Sequence, residues 1–384
     1  MKRVAVLGLM GQYPMGGMAW QVLHYLIGFQ RLGCHCSYIE NSAAPPYSPR
    51  RAGLGTSARE NLRFLRETFR RFDLDGAWAY YDCLSESWYG MSESRARESL
   101  DRADLIVNLC GATLPDPVQR PKGCLVYVET DPGLEQVKFA SGDPAALALL
   151  HAHDRHFTYG WRIGDPDCAI PACGLDWLKT HPPVVVDLWD APGAPGSSWR
   201  TVGTHRNQGK DVVVDGRTFF WSKHPSFERV LDLPSRTRES LELAVGFGEE
   251  SVRERFRRHG WRLGDAYEVS RSAQRYRRYL QEAKGEFSVE KDQLVGLRPG
   301  WFSDRSVCFL AAGRPCVVQD TGFDVRIPAD LPGLVAWSTI GEAAEALERV
   351  SGDYARHARG ARELAMEFFE ARVLLPPILE AAGL

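Results

Sequence analysis

The sequence predicts an α/β protein of two domains in tandem, each built on a parallel β-sheet. Three observations point there. The chain has 384 residues, enough for two domains of about 150 to 200 residues each. Apolar runs such as "RVAVLGL", "ADLIVNLCG" and "GCLVYVETDPG" alternate with helical segments, and continuous Val, Leu and Ile suit parallel strands covered on both faces. Between them, "HPPVVVDLWDAPGAPGSSW" is rich in Pro, Gly and Ser and lacks helical periodicity, as an interdomain linker does. The domains are therefore expected at 1–189 and 199–369, with residues 190–198 as the linker.

The elements follow in order. In the first domain, strand "RVAVLGL" leads through the glycine-bearing loop "MGQYPMGGMA" to an amphipathic helix from Trp20 to about Leu32, stopped by Gly33, and then to strand "CSYIE". This is a βαβ unit with a helical crossover, hence parallel strands. Helix "ARENLRFLRETFRRF", two buried strands, helix "DPAALALLHAHD" and strand "RHFTYG" complete it. In the second domain, strand "WRTVGTH" precedes helices near "SFERVLDLP", "TRESLELAVGF", "VRERFRRHGW" and "RSAQRYRRYLQEAK". Strand "EFSVE", the Gly300–Gly322 stretch, strand "PGLVAW" and two long helices follow.

Composition excludes some classes. Lys+Arg 47 against Asp+Glu 49 leaves a net charge of -2, so no global field favours nucleic acid or an anionic membrane. No apolar run approaches the roughly 20 residues of a membrane span. The N-terminal apolar run stops at Gly11 with no small-residue cleavage site after it, and a cytoplasmic location is expected. Several of the nine cysteines, Cys110, Cys124, Cys308 and Cys316 among them, lie in apolar runs, where thiols act as small hydrophobes. Cys34 and Cys36 flank His35 but point the same way along a strand, unlike a zinc knuckle. His151, His153 and His156 end a helix without the spacing of a facial triad, so no metal site is expected.

The stretch "GWFSDRSVCFLAAGRPCVVQDTG" carries the most chemistry. A polar turn entering a helix is an anion site, because free N–H groups and the helix dipole both favour negative charge. Ser303, Asp304, Arg305 and Ser306 stand at that turn. Hydroxyls and Arg suit phosphate oxygens, and Asp304 suits a ribose hydroxyl or caps the helix. Gln319 and Asp320 follow the next strand at its carboxyl end, where open α/β sheets bind ligands.

Over roughly residues 286–324 this pattern resembles the donor-binding half of the GT-B glycosyltransferases, and elsewhere the resemblance is architectural. It implies two Rossmann-like domains facing across a cleft, with the closing segment 370–384 packed back on the first. It implies a nucleotide-diphosphate sugar as donor substrate, with no separate cofactor or metal, and a small-molecule or glycan acceptor on the first domain. Ser303, Arg305 and Ser306 would take the diphosphate, and Gln319 and Asp320 the sugar. Many such enzymes carry a ribose-binding Glu five to seven residues before the helix-ending Gly; Cys308 and Ser306 stand there instead, leaving Asp304 as a substitute.

Other groups join this reading. Gly16 and Gly17 would let the backbone approach the donor. His205, Arg206, Lys210 and Lys223 would reach the diphosphate from the second domain. Asp131 in "VETDPG" is the first choice for the base that deprotonates the acceptor, with His24 and Glu129 next; the same Asp also suits a turn before Pro132 and Gly133. Three alternatives stand: a nucleotide-sugar epimerase of the same fold, an NAD-dependent oxidoreductase using Gly11 to Gly17 with Glu40, and a catalytically silent binding protein.

Overall fold

The computed structural model describes residues 1–113, 120–328 and 331–384. The first half supplies β1 (Arg3–Leu7), β2 (His35–Glu40), a small hairpin of β3 (Tyr47–Ser48) and β4 (Gly53–Leu54), β5 (Trp78–Asp82), β6 (Ser87–Gly90), β7 (Leu105–Leu109), β8 (Cys124–Glu129), β9 (Arg155–Thr158) and β10 (Trp177–Lys179). Apart from the hairpin these form one 8-stranded sheet, ordered β10-β9-β8-β7-β1-β2-β5-β6. All neighbours are parallel except the edge pair β5 and β6.

The second half supplies β11 (Ser198–Thr204), the hairpin β12 (Val212–Val214) and β13 (Arg217–Phe219), β14 (Ser240–Gly246), β15 (Arg262–Leu263), β16 (Gly285–Ser288), β17 (Cys316–Gln319) and β18 (Leu334–Trp337). Its 6-stranded sheet is ordered β15-β14-β11-β16-β17-β18 and is parallel throughout. In each sheet the chain runs outward from the first strand, returns, and continues on the other side. This is the doubly wound order, whose switch points lie between β1 and β7 and between β11 and β16.

Two expectations are corrected. "TRESLELAVGF" reads as helical, yet Ser240–Gly246 is a strand paired along its whole length with β11. Leu241, Leu243, Ala244 and Val245 are buried there, so tertiary packing overrides the helix preference of Glu, Leu and Ala. The first helix starts at Gly16 rather than Trp20 and ends at Arg31. Gly33 does adopt the left-handed conformation, φ 80°, just beyond it, as a helix stop requires.

The halves touch closely. Trp20 Nε1 donates to the Ala273 carbonyl at 2.8 Å, and Trp301 Nε1 to the Thr130 carbonyl at 2.8 Å. At the C-terminus, Val184 N–H donates to Phe369 and Ala371 N–H to Val184, both at 2.8 Å. A Cβ on Gly28 would meet Ala371 Cβ at 2.9 Å, so the first helix lies directly on the closing segment.

Candidate functional site

On the first sheet, β8 ends in Glu129, and Thr130, Asp131 and Pro132 turn the chain into the Leu134–Ala140 helix. Glu129 is buried in mid-sheet. Its Oε2 accepts from Thr158 Oγ1 at 2.8 Å and from Gln136 Nε2, whose own Oε1 accepts from Gly133 N–H at 3.0 Å. Its Oε1 has no partner among the described residues. Burial outweighs the two hydrogen bonds and pushes the carboxyl up to about 8. Asp131, two residues on, is the reverse. Burial would raise it, but the Lys291 ammonium and the donors Lys291 Nζ and Trp221 Nε1 hold it below its ordinary value. Among the described residues only its Oδ2 is engaged; Oδ1 is buried and has no partner there. A pocket opens here between the halves, with Glu129, Asp131, Tyr127 and Leu134 on one wall and Lys210 and Trp221 on the other.

On the second sheet, β16 ends just before Glu290, beside the switch point. Glu290 accepts from Ser288 Oγ at 2.7 Å and Lys223 Nζ at 2.8 Å, and its N–H donates to Gln319 Oε1 at 2.9 Å. Arg305 sits in the same network: Nε donates to Glu286, Nη2 to Glu290 at 3.4 Å and Nη1 to the Val202 carbonyl at 3.0 Å. The guanidinium that was expected to face phosphate therefore holds two buried carboxylates, because without it Glu286 would lie in the core with no counter-charge among the described residues and Glu290 would have Lys223 alone. Lys223 is likewise turned inward, and burial lowers its ammonium to about 8 despite Glu290.

The remaining expected residues divide. Ser303 caps the Asp304–Ala311 helix by accepting from Arg305 N–H at 3.2 Å, and the Ser306 hydroxyl is buried without a partner among the described residues. With Gln319, Glu290 and Thr321 they line a small pocket. Asp304 instead faces the first domain, accepting from Gln21 Nε2 at 3.3 Å, and burial raises it to about 7. Asp320 is tied to Arg298 Nη1 at 2.8 Å and Gly322 N–H at 2.7 Å. Arg206 is exposed after β11, and Lys210 lies 4.9 Å over the Trp221 ring. Gly16 and Gly17 lie under Tyr276, where a Cβ on Gly16 would also meet the Ser272 carbonyl at 2.9 Å; they admit a helix of the other half.

Two groups lie away from the cleft chemistry. His24 accepts from Trp189 Nε1 at 2.9 Å inside an aromatic cluster, and burial lowers it to about 3. Glu40 accepts from Gly11 and Gln12 N–H, each at 2.6 Å, and from Tyr38. It pins the loop after β1, so both of its oxygens are engaged within the protein. Of the residues found here, Glu290 and Lys291 were missed by sequence reasoning, although their position after the "EFSV" strand was a readable signal. Among the described residues no cluster of His, Cys, Asp and Glu is set to hold a metal, and no helix is long and apolar enough to cross a membrane.

No family model and no curated protein matches the sequence. Solved structures do. AviGT4, a glycosyltransferase involved in avilamycin A biosynthesis, superposes with a TM-score of 0.59 at 14% identity, covering 100% of this chain and 97% of that one. Alr3699/HepE of Anabaena, in complex with UDP and glucose, gives 0.57 at 12% identity with 100% of both chains covered. An α-glucosyltransferase in complex with UDP gives 0.63 at 8% identity with 100% of both chains covered. Over its whole length the chain thus carries the GT-B fold, two doubly wound parallel-sheet halves meeting at a cleft.

Proposed function

We propose that this protein is a glycosyltransferase that moves a sugar from a nucleotide-diphosphate sugar to an acceptor hydroxyl in the cleft. The observation that carries the reading is the cavity at the carboxyl edge of the second sheet, where Ser303, the unpartnered Ser306 hydroxyl and the first turn of the Asp304–Ala311 helix converge. Hydroxyls and free N–H groups at a helix N-terminus suit a diphosphate. Exposed Arg206, and Lys210 on the adjacent loop, supply mobile positive charge toward the leaving group, and Gln319 the sugar side. Arg305 and Lys223 act from behind, keeping Glu286 and Glu290 in place. The UDP in structures of the same fold supports this assignment.

In the transfer, the acceptor oxygen bonds to the anomeric carbon as the bond from that carbon to the phosphate oxygen breaks, and the nucleoside diphosphate leaves with the electron pair. Asp131 is our candidate to receive the acceptor's proton, on its free Oδ1. Because Lys291 holds it ionised, it is a weak base but a fully available one at neutral pH. A thermal-shift panel of UDP, GDP, dTDP, ADP and NAD tests the reading. A ligand that binds only the folded state raises the melting temperature, so a rise with a nucleoside diphosphate supports it, and a rise with NAD alone overturns it.

A further inference from the structure

We infer that the outer face of the Arg59–Arg71 helix, with the β3–β4 hairpin before it, docks reversibly on an anionic phospholipid surface. From Arg50 to Arg71 the chain carries seven arginines against Glu60 and Glu67, with no lysine or aspartate, a net +5 in a chain of net -2. All seven arginines are exposed. Arg59, Arg63, Arg66 and Arg70 fall within about 60° of one another around the helix, in a row about 16 Å long. Arg50 donates to Tyr267 Oη at 3.1 Å, and Arg70 lies 4.0 Å from Asp75. The side chains of Arg51, Arg59, Arg63, Arg66 and Arg71 have no ion pair or hydrogen bond among the described residues. Other helices of the same protein differ. In Glu93–Asp101 and Glu250–Arg258, arginines pair with glutamates one turn away, Arg97 with Glu93, Arg253 with Glu250 and Arg257 with Glu254.

Like charges one turn apart repel along a helix, so the row costs local stability in water and regains it against fixed negative charge. Arg71 carries the basic surface to the domain boundary. Its neighbour Phe72 and the Arg277 guanidinium both pack on Trp20, at 5.3 Å and 5.7 Å, and burial, then the charges of Arg71 and Arg278, hold Arg277 below its ordinary value. Guanidinium forks match phosphate oxygens, and each basic group near an anionic leaflet adds to binding. Leu54 favours a bilayer over a nucleic acid. It stands on β4, in the hairpin held to this helix by the Asn61 Nδ2 bond to the Tyr47 carbonyl at 3.1 Å. At 68% it is, after Met1, the most exposed large apolar side chain among the described residues. A lipid interface takes up such a side chain. Stacking on bases would need exposed aromatic rings, and none lies between Arg50 and Arg71. The helix's own apolar side, Leu62, Leu65 and Phe69, is buried in the core, so the helix lies on the membrane without entering it.

Co-sedimentation of the full chain with vesicles tests this, using pure phosphatidylcholine and an equimolar mixture with phosphatidylglycerol, with DNA duplex and single strand titrated separately. Binding is expected to the anionic vesicles alone, weakening as salt rises. Arg63→Gln combined with Arg66→Gln should weaken it about 25-fold, and Leu54→Ser about ten-fold. The same number of charges removed by Arg253→Gln with Arg257→Gln should leave it nearly unchanged. Without vesicles the Arg63 and Arg66 double variant should melt no lower than the parent, since like charges are removed, so its loss of binding is not loss of fold. Equal binding to both vesicle types, no vesicle binding, or tighter binding to either DNA than to anionic vesicles overturns the inference. So does parent-like binding by the Arg63 and Arg66 double variant or by Leu54→Ser, or an equal loss on changing Arg253 and Arg257. None of these outcomes bears on the glycosyltransferase reading, which the nucleotide panel tests.

Discussion

Lys291, just past the end of β16 in the second half, donates its ammonium to Asp131, just past the end of β8 in the first. The two switch-point sheets are thus joined by one ion pair at the cleft, with Trp221 donating to the same oxygen at 2.7 Å. Lys291→Met should cost about 1 to 3 kcal/mol, less than a fully buried pair because both side chains keep some exposure. Urea unfolding of Lys291→Met, Asp131→Asn and the double variant measures the coupling. Strictly additive losses would show that the pair contributes nothing.

Asp131→Asn keeps the shape and the Trp221 bond but removes basicity. Turnover is expected to fall about 100- to 10,000-fold, with UDP affinity scarcely changed if the donor binds, as proposed, on the other half. Near-normal turnover with the true acceptor would remove Asp131 from the reaction.

Arg305→Ala leaves Glu286 and Glu290 without their shared guanidinium, so loss of stability is its first consequence, about 3 to 5 kcal/mol. Any loss of nucleotide affinity should be read only on protein shown to be folded. A variant as stable as the parent in urea would contradict the network role.

Glu129 gives stability a pH dependence of known sign. Its folded value, about 8, lies above its ordinary value near 4.5. Between these the folded state holds a proton that the unfolded state has released, so stability falls as pH rises through that window. Each such group contributes about 1.4 kcal/mol per pH unit. Glu40 and Asp304, both raised to about 7 by burial, act in the same direction. Subtracting the stability of Glu129→Gln from that of the parent at pH 5, 6, 7 and 8 cancels those contributions and the histidine terms. The difference should move toward the variant as pH rises; a flat difference would mean that Glu129 is ionised in the fold.

NAD is expected to leave the melting temperature unmoved. Glu40 already accepts from Gly11 and Gln12 at 2.6 Å, so no ribose hydroxyl finds a free carboxylate in that loop. A clear NAD shift that Glu40→Gln abolishes would reverse this conclusion.

Local pattern was enough for the architecture. Apolar runs and helical periods announce two parallel-sheet halves, and the polar turn at Ser303–Ser306 announces the end of the second sheet that carries chemistry, because burial periodicity and helix caps are properties of neighbouring residues. Tertiary structure alone decided which polar groups are free. Arg305 and Lys223 look like phosphate ligands in sequence, yet long-range packing points both at Glu290, while the Ser306 hydroxyl has no partner among the described residues. Gly16 looks like a ligand loop and is a contact for Tyr276. "TRESLELAVGF" favours a helix and becomes a strand because β11 lies beside it. The carboxyls of Glu129 and Asp131 are indistinguishable on paper. They part in the fold because Lys291, 160 positions from Asp131, reaches only one of them, and a charge so distant in the chain leaves no trace in local sequence.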